Sequence, residues 1–156
     1  MKRQIILFGL VLAIVMAFSL NAQQRIVLAG RGANMLADAI YLFPDTGERL
    51  VAYSSGDQGL GLFMSAVDPA FKEKVCFDKS AGVEVIASFK PDLVILKSIA
   101  KSQYEAPLNA LGIRQLYLNL ETPEQYYEDI ATLGKVLGNQ VQAAEILSWY
   151  ADHEKR

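Results

Sequence analysis

Short apolar runs alternate along the chain with segments of helical spacing. The run at 93–96 (LVIL) contains no polar residue, which predicts a strand buried on both faces of a parallel sheet. Val83, Ile86 and Ala87 share one face of a predicted helix just before it. Further strands are predicted at 25–29, 50–53 and 115–118, and further helices at 35–43, 60–67, 105–111 and 122–137. This order predicts an α/β fold, a Rossmann-like lobe with a mostly parallel sheet flanked by helices.

The last part of the chain predicts two successive helices. Thr122 is the expected N-cap of the first, with Pro123 at its first position and Gln125 closing a capping box. Gly138 and Asn139 interrupt the helical pattern. A second helix is expected from about residue 140, and no cap is visible before Arg156. We therefore expect the chain to end inside a long helix.

The N-terminal segment has the order of a secretory signal peptide. Lys2 and Arg3 precede an apolar run at 5–20, which small and polar residues follow. As a helix that run would span roughly 24 Å, short of the ~30 Å hydrocarbon core, so a permanent anchor is the weaker alternative. We predict a signal peptide at 1–22, cleaved after Ala22. No cysteine lies near this junction, so we expect a protein that is not a lipoprotein. We predict a periplasmic location, because an outer membrane would retain a soluble exported protein.

The composition of the exported chain excludes an internal disulfide and argues against nucleic acid as a partner. Cys76 is the only cysteine, so no internal disulfide can form, and we expect it to be a small buried hydrophobic residue. The 15 basic residues less Lys2 and Arg3 leave 13 against 17 acidic ones, a net charge of −4. No basic cluster indicates nucleic acid as a partner. The 134 residues from 23 to 156 are enough for one domain.

Residue patterns typical of catalysis are missing from the sequence. The only histidine, His153, lies at the end of the last predicted helix. There is no nucleophile elbow, no paired-histidine metal motif and no phosphate-cradling loop that ends in Lys followed by Ser or Thr. We therefore predict a binding protein and not an enzyme, with no catalytic residue, no metal site and no cofactor.

Polar loops follow three of the predicted strands, at 30–34, 54–59 and 97–98. Ligands of parallel sheets lie beyond the carboxyl ends of the strands, where helix N-termini offer free amides. Arg31 adds a planar cation that suits a carboxylate, a phosphate or another oxyanion. The loops predict half of a ligand cleft, and ordinary turns are the alternative.

Three segments carry a resemblance to a known family. They are 83–95 (VEVIASFKPDLVI), 121–126 (ETPEQY) and 130–138 (IATLGKVLG). In this order they resemble the substrate-binding proteins of ABC importers for iron-siderophores, haem and cobalamin, the class III proteins whose two lobes are joined by one long helix. The resemblance implies an N-terminal ligand-binding lobe at 23–138 and the start of the connecting helix at 139–156, with the second lobe absent.

The resemblance also implies roles for individual residues. Arg31, Asn34, Asp57 and Gln58 match loop positions that face the ligand in the family. Glu84 matches a surface glutamate that pairs with arginines of the permease, a charge-assisted contact suited to reversible docking. The expected function is that of a periplasmic solute-binding component that delivers an iron chelate or related metal-containing ligand to an inner-membrane ABC permease.

Two alternatives stay open at this point. Arg31 and the strand-end amides would also suit an oxyanion such as molybdate. The second alternative is that the chain is a stand-alone protein-interaction module of the envelope. The last helix carries an apolar side, and an exposed apolar side indicates a partner, either a second-lobe chain or a second copy in a homodimer. That side comprises Ile146, Leu147, Trp149 and Tyr150, which equally well pack back onto the lobe itself.

Overall fold

The computed structural model describes residues 23–56 and 62–154, so the predicted signal peptide, Asp57 and Gln58 lie outside the described residues. Five strands form one sheet in the order β3-β2-β1-β4-β5, and each neighbouring pair is parallel. Their bounds are β1 Ile26–Ala29, β2 Leu50–Ser54, β3 Val75–Phe77, β4 Leu93–Lys97 and β5 Gln115–Leu118. The predicted α/β class with a parallel sheet is confirmed.

Helices connect the strands and flank the sheet. They are α1 Ala33–Ile40, α2 Thr46–Arg49, α3 Leu62–Val67, α4 Val83–Ser88, α5 Lys101–Ala110, α6 Pro123–Leu137 and α7 Gln140–Glu154, with short 3₁₀ segments at Pro69–Glu73 and Ser98–Ala100. The predicted helices correspond to α1 and α3 to α7. The start predicted for α5 was wrong by four residues, because the 3₁₀ segment Ser98–Ala100 leads directly into the helix.

The sheet separates two apolar layers. Leu93 and Ile95 of β4 pack into the layer formed with α1, α6 and α7, whereas Val94 and Leu96 pack with α4 and α5. A single strand contributes side chains to both layers because its successive side chains point to opposite faces of the sheet. All of β4 is buried, which confirms the prediction from its unbroken apolar run.

One edge of the sheet differs from the prediction. Strand β3 was not predicted, and Cys76 in its centre is exposed, so the expectation of a buried cysteine was wrong. Cys76 is exposed because β3 is the last strand of the sheet. Among the described residues β3 pairs only with β2, so Val75 and Cys76 have no neighbouring strand on their outer side.

Helices α6 and α7 form an antiparallel pair on the first layer. Gly134 permits their close approach, since a Cβ there would lie 2.5 Å from the Cβ of Ala143. Ile146 is buried, and Leu147 and Tyr150 pack against the same core. Trp149 of the same apolar set remains 57% exposed. Most of that set therefore packs back onto the lobe. Among the helices within residues 23–56 and 62–154, none is long and apolar enough to span a bilayer.

Candidate ligand-binding site

The strand order reverses between β1 and β4, because the chain continues from β1 outward to β2 and from β4 outward to β5. In open parallel sheets the loops on either side of such a reversal diverge and leave a crevice beyond the carboxyl ends. Here these loops are residues 30–32 after β1 and Ser98–Ala100 after β4. The described parts of the polar loops found in the sequence follow the carboxyl ends of β1, β2 and β4 and lie at one edge, which we call the carboxyl edge.

The loop after β1 holds Arg31 outward at this edge. Ser54 Oγ, at the end of β2, donates a hydrogen bond of 2.6 Å to the Gly30 carbonyl and ties the loop to the neighbouring strand. Gly30 and Gly32 both have left-handed backbone, with φ of 76° and 80°. These two reversals leave Arg31 between them exposed to solvent.

Asn34 lies in the first turn of α1, beside the loop that follows β2. A Cβ at Gly56 would clash with Asn34 Oδ1, so Gly56 allows the loop to approach this amide closely. The structure therefore brings Arg31 and Asn34 to the same edge. Asp57 and Gln58 follow Gly56 directly in sequence but are outside the described residues, so their predicted ligand contacts stay a prediction.

A buried lysine lies at the end of β4, in the polar segment 97–98 that the sequence placed at the cleft, although its burial was not predicted. The Lys97 side chain is only 6% exposed, and its Nζ lies 2.6 Å from Oε1 of Glu121, whose own side chain is 61% exposed. The stem passes Gly32 so closely that a Cβ there would lie 2.9 Å from Lys97 Cγ. Lys97 Nζ also lies 3.8 Å from Met35 Sδ. An ammonium is thus held between the loops after β1, β4 and β5.

Helix α6 fixes the loop that carries Glu121. The buried Asp129 carboxylate accepts hydrogen bonds from the amides of Asn119 at 2.7 Å and Leu120 at 2.8 Å. Leu120 has a left-handed φ of 54°, uncommon for such a residue. The predicted capping box is present with a shift of one residue, because Gln125 Oε1 accepts from the Glu121 amide at 3.3 Å. The Glu121 backbone is therefore held while its side chain extends into solvent.

A cavity of about 330 Å³ opens beside Glu121, with Thr122, Tyr126 and Tyr150 among its walls. Binding pockets for small molecules begin at about this size. Burial, and then the 3.2 Å hydrogen bond between the two tyrosine hydroxyls, raise the pKa of Tyr126 above its ordinary value. Tyr126 therefore stays a neutral hydroxyl at physiological pH and can act as donor or acceptor.

Glu84 lies in the first turn of α4, at the same edge. It is exposed, and its carboxylate lies beside Gly82. The preceding loop is ordered: Asp78 accepts from the Ser80 amide at 2.8 Å, and Tyr104 Oη donates to the Ala81 carbonyl at 2.9 Å. Hydrogen bonds from Ser80 lower the pKa of Asp78. The structure thus presents Glu84 on a defined surface.

The edge offers ion pairing and hydrogen bonding. Within the described part of the chain, no group of three or more His, Cys, Asp or Glu residues is placed to hold a metal ion. His153 is exposed on α7, with its ring stacked on Trp149 at 4.0 Å between centroids. The cations of Arg31 and Lys97 and the amide of Asn34 can bind an anionic or polar ligand at the carboxyl edge.

The same fold occurs in solved structures of binding proteins. Part of the fold of periplasmic solute-binding proteins, among them a substrate-binding protein of an ABC transporter, matches the fold of this chain. A periplasmic solute-binding protein from Veillonella parvula superposes with a TM-score of 0.67 at 20% identity, over 85% of this chain and 41% of that one. IsdE from S. aureus, complexed with haem, gives 0.61 at 17%, over 84% and 46%. The molybdate-binding protein MolA from Haemophilus influenzae, bound to molybdate, gives 0.63 at 17%, over 80% and 45%.

These likenesses confirm, at the level of the fold, the resemblance found in the sequence. The chain spans less than half the length of the three solved structures. No protein-family model matches the chain, and no curated protein matches it.

Proposed function

We propose that this chain is the ligand-binding N-terminal lobe, at 23–138, and the start of the connecting helix, at 139–156, of a periplasmic solute-binding component of an ABC importer. It binds an iron chelate or related metal-containing ligand and delivers it to the permease. One observation carries the proposal: Arg31 and Asn34 directly after β1 and Lys97 at the end of β4 belong to the two central strands between which the strand order reverses, in a sheet that has the fold of such binding proteins.

The chemistry of this edge suits a ligand with anionic oxygen atoms. Arg31 presents a planar guanidinium, and Lys97 a compact ammonium, which are the two side chains that recognise carboxylates and oxyanions. Asn34 adds an amide, and Asp57 and Gln58 belong to the proposed site through the family resemblance. The ligands named for two of the similar structures, haem and molybdate, each carry anionic oxygens and therefore belong in a test panel.

The test measures binding by the exported protein. Thermal shift and isothermal calorimetry with haem, ferric citrate, ferrioxamine B, cobalamin and molybdate should identify at least one stabilising ligand. Arg31→Ala should weaken binding of that ligand about tenfold or more, the value of a charge-assisted hydrogen bond. Arg114→Ala is the matched control, since Arg114 is also exposed but precedes β5 at the opposite edge. Equal effects of the two substitutions, or no ligand for the wild-type protein, would refute the proposal.

Docking on the permease is assigned to Glu84 in this proposal. Glu84→Ala should lower ligand uptake in cells that carry the permease and ATPase, while ligand affinity of the purified protein stays unchanged. Glu73→Ala is the control, because Glu73 is equally exposed but precedes β3 at the opposite edge. Unchanged uptake with Glu84→Ala would remove this role.

Export by cleavage after Ala22 is checked by the mass of the periplasmic protein, which should begin at Gln23.

A further inference from the structure

The ion pair between Lys97 and Glu121 is asymmetric. The lysine side chain is almost wholly buried, whereas most of the glutamate side chain is in solvent. Burying an ammonium group is costly unless a partner compensates for the lost hydration. A pair with one largely exposed member adds little to stability. Fold stability therefore gives no reason for a lysine, rather than an apolar residue, at the end of the central strand β4.

The two partners also differ in how firmly they are held. Lys97 is confined by Gly32 on one side and by Met35 on another. The backbone of the Glu121 loop is held by Asp129 and Gln125, but the glutamate side chain extends from it into solvent. Rotation of that side chain would expose Lys97 Nζ without any movement of backbone. A carboxylate thus covers the buried cation and is free to leave it.

We propose that Lys97, beside Arg31, is an anion-binding group of the cleft and that the Glu121 carboxylate occupies it in the absence of ligand. An anionic oxygen of the ligand, from a chelate carboxylate or an inorganic oxyanion, replaces the Glu121 carboxylate at Lys97 Nζ. The displaced carboxylate stays ionised in solvent. This inference rests on the proposed function and specifies the charge of its ligand. Glu121 competes with every anionic ligand and does not compete with neutral or cationic ligands.

Competition predicts a gain of affinity when the carboxylate is removed. Glu121→Gln should tighten binding of ferric citrate or molybdate by about two- to fivefold, the equilibrium equivalent of a partly exposed pair. Lys97→Met keeps the apolar stem and should weaken the same anions about tenfold or more. Ferrioxamine B, which is cationic, should gain no affinity from Glu121→Gln and lose none from Lys97→Met. Glu105→Gln is the matched control, since Glu105 pairs with Lys101 at 3.4 Å on an exposed helix face.

Calorimetric titration of the full exported chain separates the possible outcomes. Anion affinity that rises with Glu121→Gln and not with Glu105→Gln supports the exchange. Equal affinities for these two variants overturn the exchange and leave the proposed function intact. Oxyanion binding with the predicted charge dependence, but no chelate binding, supports the exchange and refutes the iron-chelate function. No binding of any anion by the wild-type or Glu121→Gln protein overturns the exchange, and the proposed function is refuted as well if ferrioxamine B and cobalamin also fail to bind. Because Glu121 is exposed, its variant tests the idea even if Lys97→Met fails to fold.

Discussion

Replacement of Gly32 by alanine tests the packing that confines Lys97. An added Cβ would lie 2.9 Å from Lys97 Cγ, a separation that real Cβ atoms do not show. The Cγ atom lies near the backbone end of the side chain, so the whole lysine must move and leave its 2.6 Å contact with Glu121. The backbone adds a second cost, because alanine must adopt a φ of 80°.

The magnitude follows from these two parts. The left-handed conformation costs about 1–2 kcal/mol for alanine. A displaced rotamer adds about 0.5–1.5 kcal/mol, and loss of the half-exposed ion pair adds about 0.2–1 kcal/mol. Gly32→Ala should therefore lower the free energy of unfolding by about 2–4 kcal/mol. Gly30→Ala has a similar φ of 76° but only ordinary contacts, at 3.7 Å with Ala100 Cβ, so it should cost about 1–2 kcal/mol.

Urea denaturation followed by circular dichroism measures both variants. A double-mutant cycle isolates the contact: in a Lys97→Ala background the Cγ atom is gone, and Gly32→Ala should cost no more than Gly30→Ala does. The resulting coupling energy should exceed the ~0.3–0.5 kcal/mol within which independent sites add. Additive effects of Gly32→Ala and Lys97→Ala would refute the contact. A cost of Gly32→Ala equal to that of Gly30→Ala in the wild-type background would do the same.

Two further substitutions test hydrogen-bonded carboxylates at opposite ends of the strands, Asp129 at the carboxyl edge and Asp68 at the amino edge. Asp129→Ala leaves the amides of the Glu121 loop without their acceptor and should cost about 1–3 kcal/mol, with faster hydrogen exchange at Leu120 as the local sign; unchanged exchange there would contradict the role. Burial alone would raise the pKa of Asp68, but hydrogen bonds from Tyr41 and Lys74 and the lysine charge lower it below 3.8 overall. The Asp68 carboxylate therefore stabilises the fold above that pH and loses this contribution as the pH falls through the lowered native value. Asp68→Asn should be less stable than wild type by about 1 kcal/mol at pH 7, with the difference shrinking below pH 3.8 in urea titrations; a pH-independent difference would contradict the assignment.

The elements that the sequence predicts are those with strong local patterns. Strand β4 is apolar from Leu93 to Leu96 because helices cover both of its faces. The start of α6 is predicted by Thr122 and Pro123. Strand β3 has three residues and one neighbouring strand, so its sequence carries neither a long apolar run nor an alternation. The error at Cys76 has the same origin: residue type predicts burial, whereas exposure here depends on which strand ends the sheet.

The candidate site likewise contains residues that the local sequence predicts and a residue pair that it does not. Arg31 and Asn34 are predictable because they follow a recognisable strand within a few residues. The contact between Lys97 and Glu121 joins positions in two different loops. It exists because β4 and β5 pair in a register that sets Lys97 opposite Leu118, three residues before Glu121. Register is a property of the whole sheet, so no local pattern in one sequence predicts this pair.

Two lysine–carboxylate pairs at opposite edges of the sheet show what distinguishes a structural contact from a binding contact. Lys74 and Asp68 lie 3.3 Å apart at the amino edge, with side chains 10% and 15% exposed. Asp68 also accepts from Tyr41 Oη at 2.7 Å and from the Ala70 amide at 2.9 Å. A ligand could take Lys74 only by breaking several of these bonds at once. At the carboxyl edge the cation is equally buried, but its carboxylate partner is mostly in solvent, so an anion needs to displace a single side chain. Burial of the cation with exposure of its partner therefore makes this edge, and not the other, suited to reversible capture of an anion.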